Sequence, residues 1–179
     1  NLTVSSTGNV TLAAITLDVG GAGVVSVTAD SDNNSTNTLA ANGVIAATGA
    51  VTLSGGTDLN ETIDVNANVT SGGALTIQRA ALADLAANVA LSGLSVAADL
   101  GTNALTSINL SGAGTNTVTS TGGNVDLTAI TDSGAANLTV SSTGNVTLAA
   151  ITLDVGGAGI VSVTADADKN AANTLTAKG

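Results

Sequence analysis

The feature that most constrains this 179-residue chain is an internal repeat. Residues 1–23 (NLTVSSTGNVTLAAITLDVGGAG) recur unchanged at 137–159, and 36 of 43 positions agree between 1–43 and 137–179. Long self-similar periods build solenoids, propellers or arrays, in which each unit buries its apolar face on the next. The chain opens and closes inside the same motif. The expectation is therefore one full unit at 1–136 and the start of a second at 137–179, continuous and without a linker, within a tandem array.

A shorter period lies inside the long one. Apolar–polar–apolar segments start at Leu2, Val25, Val51, Leu75, Val96, Val118 and Leu138, at a spacing in the range of solenoid repeats. Alternation with period two marks strands. It places Leu2 with Val4, Val51 with Leu53, Ile63 with Val65, Leu75 with Ile77, Val125 with Leu127 and Val146 with Leu148 on one face each. Gly20-Gly21, Gly55-Gly56, Gly72-Gly73 and Gly122-Gly123 separate such runs, where positive φ is expected of a turn. The pattern predicts an all-β chain folded as a parallel β-solenoid (β-helix) with roughly 20–26 residues per coil and a 136-residue tandem unit. Six coils per unit would advance the axis by about 29 Å at the strand spacing of ~4.8 Å. A β-sandwich, the rival architecture, fits a 136-residue unit poorly and leans on aromatic filling. One segment departs from the pattern. Arg79–Val89 is rich in helix formers, with Leu82, Leu85 and Val89 at helical spacing. It leaves open a short helix or an Ala-rich rung.

Composition narrows the chemistry. The chain has no Pro, Cys, His, Met, Phe, Tyr or Trp, yet 44% of its residues are hydrophobic, all of them Ala, Val, Leu or Ile. Without Cys or His there is no ordinary zinc, haem or iron–sulfur ligation and no imidazole or thiol catalysis. Three basic residues against 13 acidic ones, a net charge of −10, give phosphate backbones little to bind, so no nucleic-acid partner is expected. No apolar run reaches the length of a membrane-spanning helix. Proline would interrupt stacked backbone ladders, and its absence suits a solenoid.

Several motifs carry candidate chemistry. Asp30-Ser-Asp32-Asn-Asn34 recurs as Asp166-Ala-Asp168-Lys-Asn170. Oxygen ligands at alternate positions suit calcium, so Asp30, Asp32, Asn34, Asp166, Asp168 and Asn170 form a candidate calcium set. The following Gly and the distal Glu of a calcium loop are missing, and a solvated turn is the other reading. Asp58-Leu-Asn-Glu61-Thr-Ile-Asp64 holds the only Glu and resembles paired glycosidase carboxylates, with Arg79 as the one candidate electrostatic partner. Surface charge is the competing account, and no enzymatic activity is expected. Gly20-Gly-Ala-Gly23 and its copy at Gly156 read as turns, since no helix follows. Sequons are dense at strand starts, and stacked asparagines bonding along the axis are the expected role of those residues. Thr115, Thr117, Thr119 and Thr121 alternate and predict cross-strand threonine pairs.

The runs GNVTLAAITLDVGGAG, GAVTLSGG and GGNVDLTAITDSGAANLTVSSTGNVTL resemble the degenerate repeats of filamentous-haemagglutinin-like and other giant β-strand-repeat bacterial surface proteins. That resemblance implies a right-handed β-helical shaft, secreted to the cell surface and serving adhesion or biofilm. On it, the expected function is a structural shaft segment of an extracellular bacterial fibre or adhesin stalk. An S-layer or sheath subunit assembling head to tail is the alternative, and a polysaccharide-acting enzyme the less favoured one. The expected partners are further copies of the repeat, with a host or neighbouring cell surface beyond them.

Overall fold

The computed structural model describes residues 1–17, 23–98, 105–153, 159–170 and 173–178. Gly20, Gly21 and Gly156 fall outside these. The described chain is all strand and turn, wound into three parallel sheets that form the walls of a β-solenoid. The first wall stacks Leu2–Ser5, Val25–Thr28, Val51–Ser54, Ala74–Gln78, Ser95–Ala98, Val125–Leu127, Val146–Leu148 and Leu175–Ala177. The second stacks Val10–Leu12, Thr38–Ala41, Thr62–Val65, Ala80–Leu85, Leu105–Leu110, Ala129–Asp132 and Ile151–Thr152. The third stacks Ile15–Leu17, Ile45–Ala47, Val69–Ser71, Ala90–Gly93, Gly114–Ser120, Ala136–Ser142 and Val161–Thr164. No helix among the described residues is long and apolar enough to cross a membrane.

Register explains why aliphatics alone suffice for the core. In-register parallel pairing puts like above like: Val25, Val51, Leu75, Val96, Val125 and Val146 form one inward column of the first wall. Ile45, Val69, Leu91, Val118 and Val140 do the same in the third. All of these are buried. Each buried side chain of this size is worth roughly 1.5–3 kcal/mol, so a narrow bore filled by stacked branched residues needs no ring to close it. Outward positions carry hydroxyls, as in the row Thr3, Ser26, Thr52 and Thr76. Thr117 lies between Ala90 and Thr139, and Thr119 between Ser92 and Ser141, so the alternating threonines join a mixed Thr/Ser/Ala face.

The coils are unequal. They are shortest from Leu75 to Val96 and from Val125 to Val146, and longest from Val96 to Val125 and from Val146 to Leu175. The two long coils exceed the expected range. The Arg79–Val89 segment is a rung: Ala80–Leu85 is a strand, with Ala80, Ala83 and Leu85 buried. Leu82 is only half-buried, so the helical spacing does not mark the inward face; a bulge sets that face instead. Ala81 and Leu82 both donate to the carbonyl of Glu61 (2.9 and 3.3 Å), so two residues face one and the inward positions shift. Among the described residues the left-handed region is occupied by Asp30, Asn33, Leu59, Arg79, Asn88, Asp166 and Lys169, while Gly114 is the one glycine with positive φ. The corner glycines thus serve close coil-to-coil approach more than unusual torsion.

The long repeat does not close on itself. Leu2–Ser5 belongs to the first wall, but its copy at 138–141 lies in the third. Val10–Leu12 is on the second wall and its copy Val146–Leu148 on the first. The unit advances seventeen strands, one short of six full turns, or about 27 Å along the axis. Contacts survive the change of wall. Asn1 Oδ1 accepts from Val24 N–H at 3.1 Å, and Asn137 Oδ1 from Ile160 N–H at 2.9 Å. Asn9 and Asn145 likewise accept from Thr38 and Thr174 N–H, both at 2.8 Å. Most corner asparagines therefore cap a backbone donor of the next coil, and an axial Asn–Asn bond occurs at Asn66→Asn42 (2.9 Å). A side-chain carbonyl reaches N–H groups that the ladder leaves behind where the chain bends.

Candidate functional site

Among the acidic residues, one set meets at an inward corner, and Asp64 and Asp84 face each other in an outward row. The corner joins the first and second walls. There the chain leaves Val25–Thr28, turns through 29–37 and enters Thr38–Ala41; one coil on, it leaves Val51–Ser54 and turns through 55–61 before Thr62–Val65. Stacking of these two turns brings together Asp30, Asp58 and Glu61, with one carboxylate oxygen of each within 4.8 Å of the others. Asp30 and Glu61 have no exposed surface, whereas Asp58 is exposed.

Each buried carboxylate is only half satisfied. Asp30 Oδ1 accepts from Asn37 Nδ2 at 2.9 Å, and Glu61 Oε2 accepts from the N–H of Asn60 at 3.2 Å. Asp30 Oδ2 and Glu61 Oε1 are buried without a hydrogen-bond partner. Burial raises the Glu61 carboxyl to about 7, helped by a hydrogen bond to Asp58 that only the protonated acid donates, by the charge of Asp58 and by Asp30. A carboxyl raised in the fold binds its proton more tightly folded than unfolded. Ionising Glu61 therefore costs the fold nothing below about 4.5, and this cost grows until pH passes about 7.

The structure divides the candidate calcium set. Asp30 turns inward to the corner, while Asp32 and Asn34 are exposed and bond to each other, Asn34 Nδ2 donating to Asp32 Oδ2. The second copy repeats the turn: Asp166 and Lys169 take the left-handed torsions of Asp30 and Asn33, and Asn170 donates to Asp168. Asn173 Nδ2 bonds Asp166 Oδ1 at 3.2 Å, as Asn37 does Asp30. Asp166 is only half-buried.

The Asp58–Asp64 cluster divides as well. Asp64 is on the outer face of the second wall, opposite Asp84. Burial, then the Asp84 charge, raises its carboxyl. Asp84 in turn accepts from Asn109 Nδ2 at 2.6 Å. Two like charges directly opposite on adjacent strands destabilise a sheet. We expect Asp64→Asn to stabilise the protein at neutral pH by up to about 1 kcal/mol. The raised carboxyl penalises the fold only above the unfolded-state pKa, so the gain should vanish in acid. Thermal melts of the variant and the parent at pH 7 and pH 3 check this; an equal gain at both would rule out charge as its cause. A shallow hollow lined by Thr16, Leu17, Ala46, Ala47, Thr48 and Thr70 lies on the third wall, away from these carboxylates.

Local patterning marks Asp30, Asp58 and Glu61 separately and does not show their meeting. The one signal that could have joined them is the separation of Asp30 from Asp58, which is little more than a single coil. Compared with known proteins, the chain matches no family model, no curated protein and no solved structure.

Proposed function

We propose that the chain is a structural shaft segment, an extensible rod in which coil stacks on coil, belonging to a fibre or stalk on the outside of a bacterial cell. One observation carries the mechanical part. Leu39 and Val25 have no exposed surface, but their copies Leu175 and Val161 are 53% and 41% exposed. The two copies share most of their motif, but they sit on different walls and differ in the coil stacked above. An inward aliphatic row of this motif is thus buried where a further coil covers it. Open parallel edges with apolar inward rows are templates for further strands, and stability in such arrays grows by nearest-neighbour terms. Placement outside the cell rests on the likeness of the turn–strand grammar to haemagglutinin-like repeats.

The next coil comes from the same chain in a tandem shaft, or from another molecule in a head-to-tail sheath. No catalytic step is assigned: Asp64 faces outward on a wall while Glu61 is turned into a corner, so they do not address one substrate. The test is to fuse a second 136-residue unit after residue 179 in the repeat's own phase. The fused chain should melt at higher temperature and stay monodisperse. A fused chain no more stable than its parent would sink the shaft. Concentration-dependent growth of the unfused chain in light scattering would select the sheath.

A further inference from the structure

We infer that the corner of Asp30, Asp58 and Glu61 is a divalent-cation site of calcium type, clamping two successive coils. This stands apart from the shaft reading and uses a different ligand set from the linear Asp30-Asp32-Asn34 pattern. Its first support is the buried pair of orphan oxygens, Asp30 Oδ2 and Glu61 Oε1. Once all three are ionised, carboxylates this close cannot satisfy one another, because ionised carboxylates only accept. Removing one from water is costly unless positive charge or a donor meets it. The second support is dimensional. Oxygens on one calcium ion at about 2.4 Å are at most about 4.8 Å apart. One oxygen from each of the three carboxylates lies within 4.8 Å of the others, so a single ion can reach all three.

Neutral oxygens adjoin the acidic ones. A Cβ placed on Gly56 would lie 2.8 Å from Asn33 Oδ1 and 2.9 Å from both the Asp30 carbonyl oxygen and Asp58 Oδ1. Carboxylate and carbonyl oxygens thus crowd a space that any side chain at residue 56 would fill. Mixed carboxylate–carbonyl sets of this kind are the calcium preference, and an exposed carboxylate such as Asp58 leaves room for water to complete the shell. Asp30 belongs to one coil while Asp58 and Glu61 belong to the next, so a bound ion ties the two turns together.

The experiment is calorimetric titration of the whole chain with calcium chloride up to about 10⁻³ M, the weak end of known sites, together with melting followed by far-ultraviolet circular dichroism. The expected result is one ion per chain, a higher melting temperature with calcium, and its reversal by chelation. Glu61→Gln should weaken binding at least about tenfold, since ligand charge count sets affinity. Asp58→Asn, at an exposed position that leaves the fold intact, should do the same, and Asp32→Asn should bind like the parent. Absence of binding, binding unchanged in Asp58→Asn, loss of binding in Asp32→Asn, or equal affinity for magnesium would each overturn the assignment.

Discussion

Leu39→Ala should destabilise the protein by roughly 2–5 kcal/mol, the usual cost of emptying a packed leucine site. The same substitution at Leu175 should cost less than about 0.5 kcal/mol, as exposed positions do. The pair is informative because both leucines follow Thr in copies of one motif, yet they sit on different walls and only Leu39 is covered by a further coil: Leu39 has no exposed surface and Leu175 is 53% exposed. Leu39 stacks between Val10 and Ile63 on the second wall, so truncation leaves a void that neighbours in fixed register cannot collapse into. Urea denaturation followed by circular dichroism measures both. Equal costs would mean that the end rung packs as tightly as the middle, and the extensible-rod reading would lose its main support. In the two-unit fusion, the cost at Leu175 should climb toward that at Leu39.

Gly43→Ala should be a strongly damaging single-methyl change at a corner. A Cβ there would stand 2.3 Å from Ala14 N, 2.7 Å from Ala13 C and 2.8 Å from Ala14 Cα. All three are backbone atoms of the coil below, so no rotamer change relieves the contact. The coils must separate, weakening the ladder in which Asn42 N–H donates to Leu12 O at 3.0 Å and Ile15 N–H to Val44 O at 2.9 Å. Overpacking of this kind costs about 1–3 kcal/mol, and the upper end is expected where backbone meets backbone. Gly8→Ala is the control, because its nearest neighbour is Asn37 Oδ1 at 4.0 Å. Amide hydrogen exchange should show the damage concentrated on residues 10–17 and 38–47. Equal loss at Gly8 and Gly43 would refute close approach as the reason for glycine.

What the sequence makes legible follows from what each signal measures. Alternation identifies strands, and the starts at Leu2, Val25, Val51, Leu75 and Val96 are true partners on the first wall. Beyond Val96 the spacing leads on to Val118 and Leu138, which belong to the third wall, while the actual partner is Val125. All three walls use the same apolar–polar–apolar grammar, so spacing alone cannot tell a wall from its neighbour once a coil lengthens as it does between Val96 and Val125. The same degeneracy conceals the wall shift between copies of the repeat. For the carboxylates, local patterning pairs Asp30 with Asp32 and Glu61 with Asp64, because it sees only neighbours in sequence. A buried corner selects by stacking instead, and it pairs Asp30 with Asp58 and Glu61 across coils.

The incomplete sixth turn has a mechanical consequence. In a chain continued unit by unit, each unit is rotated by about a third of a revolution relative to the one before, and three units, about 82 Å, restore the original facing. Coils of unequal length put more chain at one edge of a unit than at another. Turned through three orientations, those bulkier edges face three directions in succession. A rod built from uneven segments in this way spreads its unevenness over all three walls and presents each outward side chain on every one of them.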